Sequence, residues 1–189
     1  PIDVHSSGAD LLVASGYKWL RGTFGVAVGW LSPSVLQSLT PSLVGFRSHA
    51  DMWELDASRL VLPDDASRWE HGSLHFGAAL GLAAAVEELN AHGAPAVWSH
   101  ARGLSDAILQ AAPALGLEVI SPIADAERSG IVSLKLPDGV DAAATARTLL
   151  DEHRLLVSSR AGMLRVSPHI DNSNEDVERL LAVLESLFR

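Results

Sequence analysis

Lys18 stands between two apolar runs, "DLLVAS" (10–15) and "GVAVGWL" (25–31). A lysine desolvated between such runs loses affinity for its proton, and a neutral amine can add to a carbonyl to form a Schiff base. The residues just before it suit a phosphate: Ser15 brings a hydroxyl, Gly16 a bare backbone N–H and Tyr17 a phenol. Gly22 and Gly25 follow and permit close approach of a bulky neighbour. The plainer alternative is a lysine at a strand end that snorkels to water, with Arg21 doing the same.

A second reactive position is Arg165, in the middle of "MLRVSP". A guanidinium among apolar neighbours is costly unless paired, and its planar fork suits a carboxylate. The alternative is a surface arginine on an edge strand. His71 and His75 are four apart, a spacing that can place two metal ligands on one helix face. His71 precedes the expected helix and no carboxylate-rich third ligand stands nearby, so no metal site is expected. His169, in "SPHID", is either structural or substrate-facing.

The elements that must position these groups follow from pattern. The run 10–15 reads as a strand covered on both faces, and 25–31 as a second strand stopped by Ser32-Pro33. A short helix is expected over 33–39, with Pro33 in its first turn. Residues 40–72 show no sustained period, and irregular stretches of that length are usually functional or contact-making. "SLHFGAALGLAAAVEELNAHG" (73–93) reads as a helix stopped by Gly93, its alanines and glycines suited to packing on a neighbouring backbone. Ser73 could cap that helix. After a second helix near 95–112 come strands at 115–121 and 130–137, a helix over 141–154, strands at 155–160 and 163–169, and a last helix. Ser173 and Asp176 form a capping box for it, and Val177, Leu180, Leu181, Leu184 and Phe188 its apolar stripe. The order predicts a small α+β domain over 93–189, distinct from the strand-bearing segment 1–92.

A formal net charge of −9 argues against nucleic-acid or anionic-membrane partners, which need a basic face. The 189 residues contain no cysteine, excluding disulfides, thiolate metal sites and a cysteine nucleophile within this chain. With no signal peptide and no apolar run of about 18 residues, a cytoplasmic location is expected.

The segment "ADLLVASGYKWLRGTFGVAVGWLS" resembles the lysine segment of the class V aminotransferase family, fold-type I enzymes that use pyridoxal phosphate. The matching positions are Asp10, Ser15, Gly16, Tyr17, Lys18 and Gly25. "RWEHGSLHF" and "MLRVSPHIDNSNEDVERLLAVLESL" resemble two further family segments in the same order. The resemblance implies an α/β fold, the end of a large cofactor-binding domain followed by a small α+β domain. It makes Lys18 the Schiff-base lysine, and Ser15 and Tyr17 cofactor-binding residues. It puts Gly72 and Ser73 on the phosphate of the partner subunit's cofactor, hence a homodimer with composite active sites. It assigns Arg165 to the α-carboxylate of an amino-acid substrate, with Arg160, in "SSRAG", a second substrate-binding position.

Two departures from the family pattern matter. Cysteine desulfurases of the family carry a nucleophilic cysteine on a loop between the segments matching "LLVSSR" and "MLRVSP". Here only Ala161 and Gly162 separate Arg160 from Met163. The expected chemistry is therefore of C–S lyase, aminotransferase or epimerase type, since persulfide transfer needs a thiolate. The family's aspartate on the pyridine nitrogen, its ring-stacking residue and its upstream phosphate segment have no counterpart in these residues. A C-terminal half of an enzyme is expected, with a non-catalytic homologue that folds and dimerises as the alternative.

Overall fold

The two apolar runs that flank Lys18 pair with each other. In the computed structural model, which describes residues 1–188, β1 (Leu11–Ser15) runs antiparallel to β2 (Ala27–Leu31), with Leu11 opposite Leu31 and Ser15 opposite Ala27. Successive side chains of a strand face opposite ways, and β1 shows it: Leu12 and Ala14 are half-buried, while Leu11 and Val13 are 59% and 67% exposed. This corrects the expectation of a strand covered on both faces. A two-stranded ribbon with one packed face leaves every second residue outside.

Helix α1 (Pro33–Ser38) starts as read, with Pro33 in its first turn and the Ser32 hydroxyl accepting from Val35 N–H. Residues 40–72 hold two 3₁₀ turns, Phe46–Ser48 and Ala66–Trp69, and are ordered by polar side chains. Arg47 Nη2 donates to Glu70 Oε2 at 2.8 Å, buried Ser48 donates its hydroxyl to Glu70 O, and Arg68 donates to the carbonyls of Pro63 and Leu36. Gly45 is obligatory here, because a Cβ on it would lie 1.9 Å from His71 O.

Helix α2 (Phe76–His92) begins three residues later than Ser73. The cap is His75, whose Nδ1 accepts from Ala78 N–H at 3.1 Å, and Ser73 is exposed upstream of it. The capping role considered for Ser73 therefore passes to His75, because the imidazole reaches the free N–H of Ala78 in the first turn. Gly93, at φ +83°, ends the helix as expected.

The chain divides into two compact units, Pro1–Ala91 and the part from His92 onward. The second is a layer of helices on an antiparallel sheet of order β3-β4-β6-β5, with β3 Glu118–Val119, β4 Val132–Lys135, β5 Ser158–Arg160 and β6 Met163–Val166. Helix α3 (Ala94–Ala111) continues into a 3₁₀ turn, Ala112–Leu115, which Gly116 closes at φ +73°. That turn consumes the start of the expected strand, so β3 is only Glu118–Val119. Ser121 then takes over the ladder with its side chain, Ser133 N–H donating to its Oγ at 2.8 Å.

Strands β4 (Val132–Lys135) and β6 (Met163–Val166) send Val132, Leu134, Leu164 and Val166 into the core. Helix α4 (Ala142–His153) is capped by Asp141 and exits through Arg154 in the left-handed region. Leu155 then drops into the core, which delays β5 to Ser158–Arg160. Helix α5 (Asn174–Phe188) carries the expected capping box: Asp176 N–H donates to Ser173 Oγ, and Ser173 N–H donates to Asp176 Oδ2. The Ser173 N–H is the main cause holding the Asp176 carboxyl below its ordinary range. Val177, Leu180 and Leu184 fill the core beneath. Among the described residues, no helix is long and apolar enough to cross a membrane.

Ala161 and Gly162 join β5 to β6 with φ of +48° and +76°, the mirror-image two-residue turn that matches strand twist. Alanine carries a Cβ penalty there that asparagine tolerates better. Ala161→Asn is expected to raise stability by about 0.5–1 kcal/mol. Urea unfolding followed by circular dichroism checks it, and a loss of stability would contradict the turn assignment.

Candidate active site

Lys18 sits on the loop that leaves β1 and returns through β2. Three backbone bonds shape that loop: Gly16 N–H to Val26 O at 2.9 Å, Arg21 N–H to Lys18 O at 2.9 Å, and Gly22 N–H to Gly16 O at 2.8 Å. The loop lies on α2. A Cβ on Gly22 would be 2.8 Å from Leu82 Cδ1, and a Cβ on Gly81 2.8 Å from Thr23 Cγ2. Thr23 Oγ1 donates to Ala78 O at 3.1 Å, and Arg21 pairs with Glu88 at 3.3 Å. Gly22 thus provides the close approach expected of it. Gly25 does something else: it has open space around it and a φ of +82°, so it serves a turn.

The anchored backbone presents an exposed amine. Lys18 is solvent-accessible, its Nζ 5.6 Å from the centroid of the Tyr17 ring. Tyr17 stacks on Phe24 with ring centroids 4.4 Å apart. The residues of this unit therefore do not bury Lys18 between strands, contrary to the sequence picture. Ser15 ends β1 in an exposed position. Asp10 is occupied structurally, its Oδ1 accepting the hydroxyl of Ser32 at 3.0 Å and its carbonyl accepting Ser32 N–H. Gly72 is half-buried and Ser73 exposed, directly after the Glu70 that Arg47 holds. Of the two histidines four apart, His71 is exposed before α2 and His75 Nδ1 accepts the Ala78 N–H of the helix cap.

In the second unit, Arg165 lies on β6 between Ser133 of β4 and Ser158 of β5, on the sheet face away from the core. It is half-buried, and its Nε is buried without a hydrogen-bond partner. A buried N–H left unpaired costs about 1–3 kcal/mol, so this fork has an open demand for an acceptor. Arg160, opposite Met163, is exposed on the same face. His169 belongs to the turn before α5: its N–H donates to Asn172 Oδ1, and Asn172 O accepts from the His100 ring at 2.8 Å. Sequence reading missed Thr23, Ser133 and Ser158, since strand register and helix contact decide their neighbours.

Residues 1–180 match the aminotransferase class-V family. The chain belongs to that family. It is 29% identical over 203 residues to a probable cysteine desulfurase of Pyrococcus abyssi, covering 100% of this chain and 49% of that protein. It is also 29% identical to a probable hercynylcysteine sulfoxide lyase of Mycobacterium tuberculosis, covering 94% and 44%. Among solved structures it resembles the apo cysteine desulfurase of Thermococcus onnurineus, with a TM-score of 0.85, 26% identity and coverage of 98% and 48%. The cystine C–S lyase C-DES shares the fold, with a TM-score of 0.84 at 20% identity over 98% of this chain and 48% of that one. The chain thus spans about half the length of the class-V relatives it matches.

The Lys18 loop has little freedom to shift. A Cβ on Gly16 would lie 2.9 Å from Val26 O, a backbone atom that cannot rotate away. Gly16→Ala is expected to destabilise the first unit by about 1–3 kcal/mol, with faster amide hydrogen exchange over residues 16–26. Unchanged exchange there would show that the loop is not held by this approach.

Proposed function

We propose that this chain supplies the Schiff-base lysine and the substrate-carboxylate arginine of a class-V enzyme acting on an α-amino acid with pyridoxal phosphate. The observation that carries the reading is Lys18: a flexible amine, open to a ligand, on a loop whose backbone is pinned on α2. The donor set fits the cofactor. An amine with a phenol ring beside it, exposed hydroxyls at Ser15 and Ser73, and a guanidinium lacking an acceptor are what an anionic aldehyde and an amino acid need.

The cofactor, when bound, supplies an electron sink for charge developing at the substrate α-carbon. Lys18 Nζ would hold the cofactor covalently, and its amine would be the base that moves a proton at the substrate α-carbon. Ser15 and Tyr17 bind the cofactor beside it. Gly72 and Ser73 offer a backbone N–H and a hydroxyl to the phosphate of a partner subunit's cofactor. Because His75 caps α2, the Ser73 hydroxyl is left for that role. Such a role would require a homodimer with composite sites. Arg165 orients the substrate through its α-carboxylate.

Within the class-V family, the reaction is of C–S lyase, aminotransferase or epimerase type. The support is the two-residue Ala161-Gly162 turn, which has no room for a nucleophile-bearing loop, in a chain without cysteine.

Borohydride reduction of the full-length protein with pyridoxal phosphate is expected to fix the label on the Lys18 peptide, and Lys18→Ala to abolish it. A label at wild-type yield in that variant would overturn the assignment and favour a homologue that folds without catalysing. Arg165→Lys keeps the charge and loses the fork. It should lower kcat/KM about ten- to a thousandfold, equivalent to about 1.4–4 kcal/mol. An amine substrate lacking the carboxylate should be nearly indifferent to it, and equal losses on both substrates would make Arg165 a fold residue.

A further inference from the structure

We infer that the open face of the four-stranded sheet recognises two anionic groups at once, so that the substrate is an α-amino acid carrying a second carboxylate on its side chain. Arg165, flanked by Ser133 and Ser158, takes the α-carboxylate, and Arg160 takes the distal one. The inference rests on the role proposed above for Arg165 and extends it to the substrate class.

The register supplies the juxtaposition. Ser133, Arg165 and Ser158 are directly opposite one another across β4, β6 and β5. Their neighbours in the pleat pattern are Lys135 on β4, Met163 on β6 and Arg160 on β5, two residues along each strand. Directly opposed residues on one face have Cβ atoms about 4.5–5.5 Å apart and diagonal ones about 7–8 Å apart, within reach of long side chains. Arg160 is the diagonal neighbour of Arg165, so both guanidinium groups serve the same patch.

Charge accounting on the face leaves both of them uncommitted. Lys135 spends its charge on Glu118, 3.0 Å away across β3 and β4. Among the described residues, neither Arg160 nor Arg165 makes an ion pair or a side-chain hydrogen bond. Two unpaired arginines on one small face are notable in a chain of net charge −9. The buried, unpartnered Nε of Arg165 marks the deeper position. Exposed Arg160 marks the outer one, where a side-chain carboxylate would lie if the α-carboxylate is seated first. Ser133 and Ser158 add hydroxyl donors beside the inner carboxylate, making them positioning residues for both kinds of ligand.

The test compares glutarate with pentanoate, diacid and monoacid of equal length, by calorimetric titration of the full-length protein. Wild type should bind glutarate about ten- to a hundredfold more tightly, the range of one charge-assisted bond. Arg160→Gln should bring the two affinities within about twofold while leaving pentanoate binding unchanged, and Arg160→Lys should retain part of the preference. Ser158→Ala should weaken both ligands alike. Equal affinities in wild type, or a preference that survives Arg160→Gln, would overturn the two-anion inference and leave the role of Arg165 standing. Arg165→Gln should weaken both ligands, with an unchanged melting midpoint showing that the fold persists. If it weakens neither, the Arg165 assignment itself falls.

Discussion

The first unit depends on how closely a backbone loop can approach a helix. Glycine at positions 16, 22 and 81 removes the side chains that would hold the Lys18 loop and α2 apart. Leu82 fills the space so made, burying a side chain worth about 1.5–3 kcal/mol. The hydroxyl of Thr23 then donates to Ala78 O across the contact. Short-range dispersion falls off steeply with a gap of even half an ångström. A loop seated this way keeps its course, and Lys18, whose side chain remains free, is presented from a fixed origin.

The second unit carries its burial on one face of its four-stranded sheet. Val132, Leu134, Leu164 and Val166 face the helices and carry the burial, while the alternate residues Ser133, Lys135, Arg165 and Met163 face the other way, three of them polar. The tight turn at Ala161-Gly162 fixes the register of β5 on β6 and so Ser158 opposite Arg165, while the pairing of β4 with β6 adds Ser133 to the line. A slip of one residue would move Arg165 into the core and Leu164 out of it. The apolar face therefore specifies the polar one.

The chemistry follows the same division of labour. The role proposed for Lys18 asks for an accessible amine on a fixed base, and its side chain is exposed on a loop held by backbone hydrogen bonds. The role proposed for Arg165 asks for an unmet hydrogen bond, and its Nε is buried without a partner on half-buried β6. The turn that sets the register of β5 on β6 is Ala161 and Gly162 alone.

Local chemistry determined much of this protein. Alternation and capping residues gave nearly every element, the Ser173–Asp176 box and the stop at Gly93 because those interactions lie within a few residues of each other. The pattern around Lys18 marked the lysine, and the fork of Arg165 marked its need for an acid, because residue type alone carries that chemistry. Tertiary structure decided the rest. Helix α2 starts at Phe76, capped by His75, because the cap depends on which side chain reaches a free N–H. β1 is half open because burial depends on what packs beside it. The alignment of Ser133 with Arg165 depends on the register of β4 on β6, strands far apart in the sequence whose pairing sequence spacing does not relate.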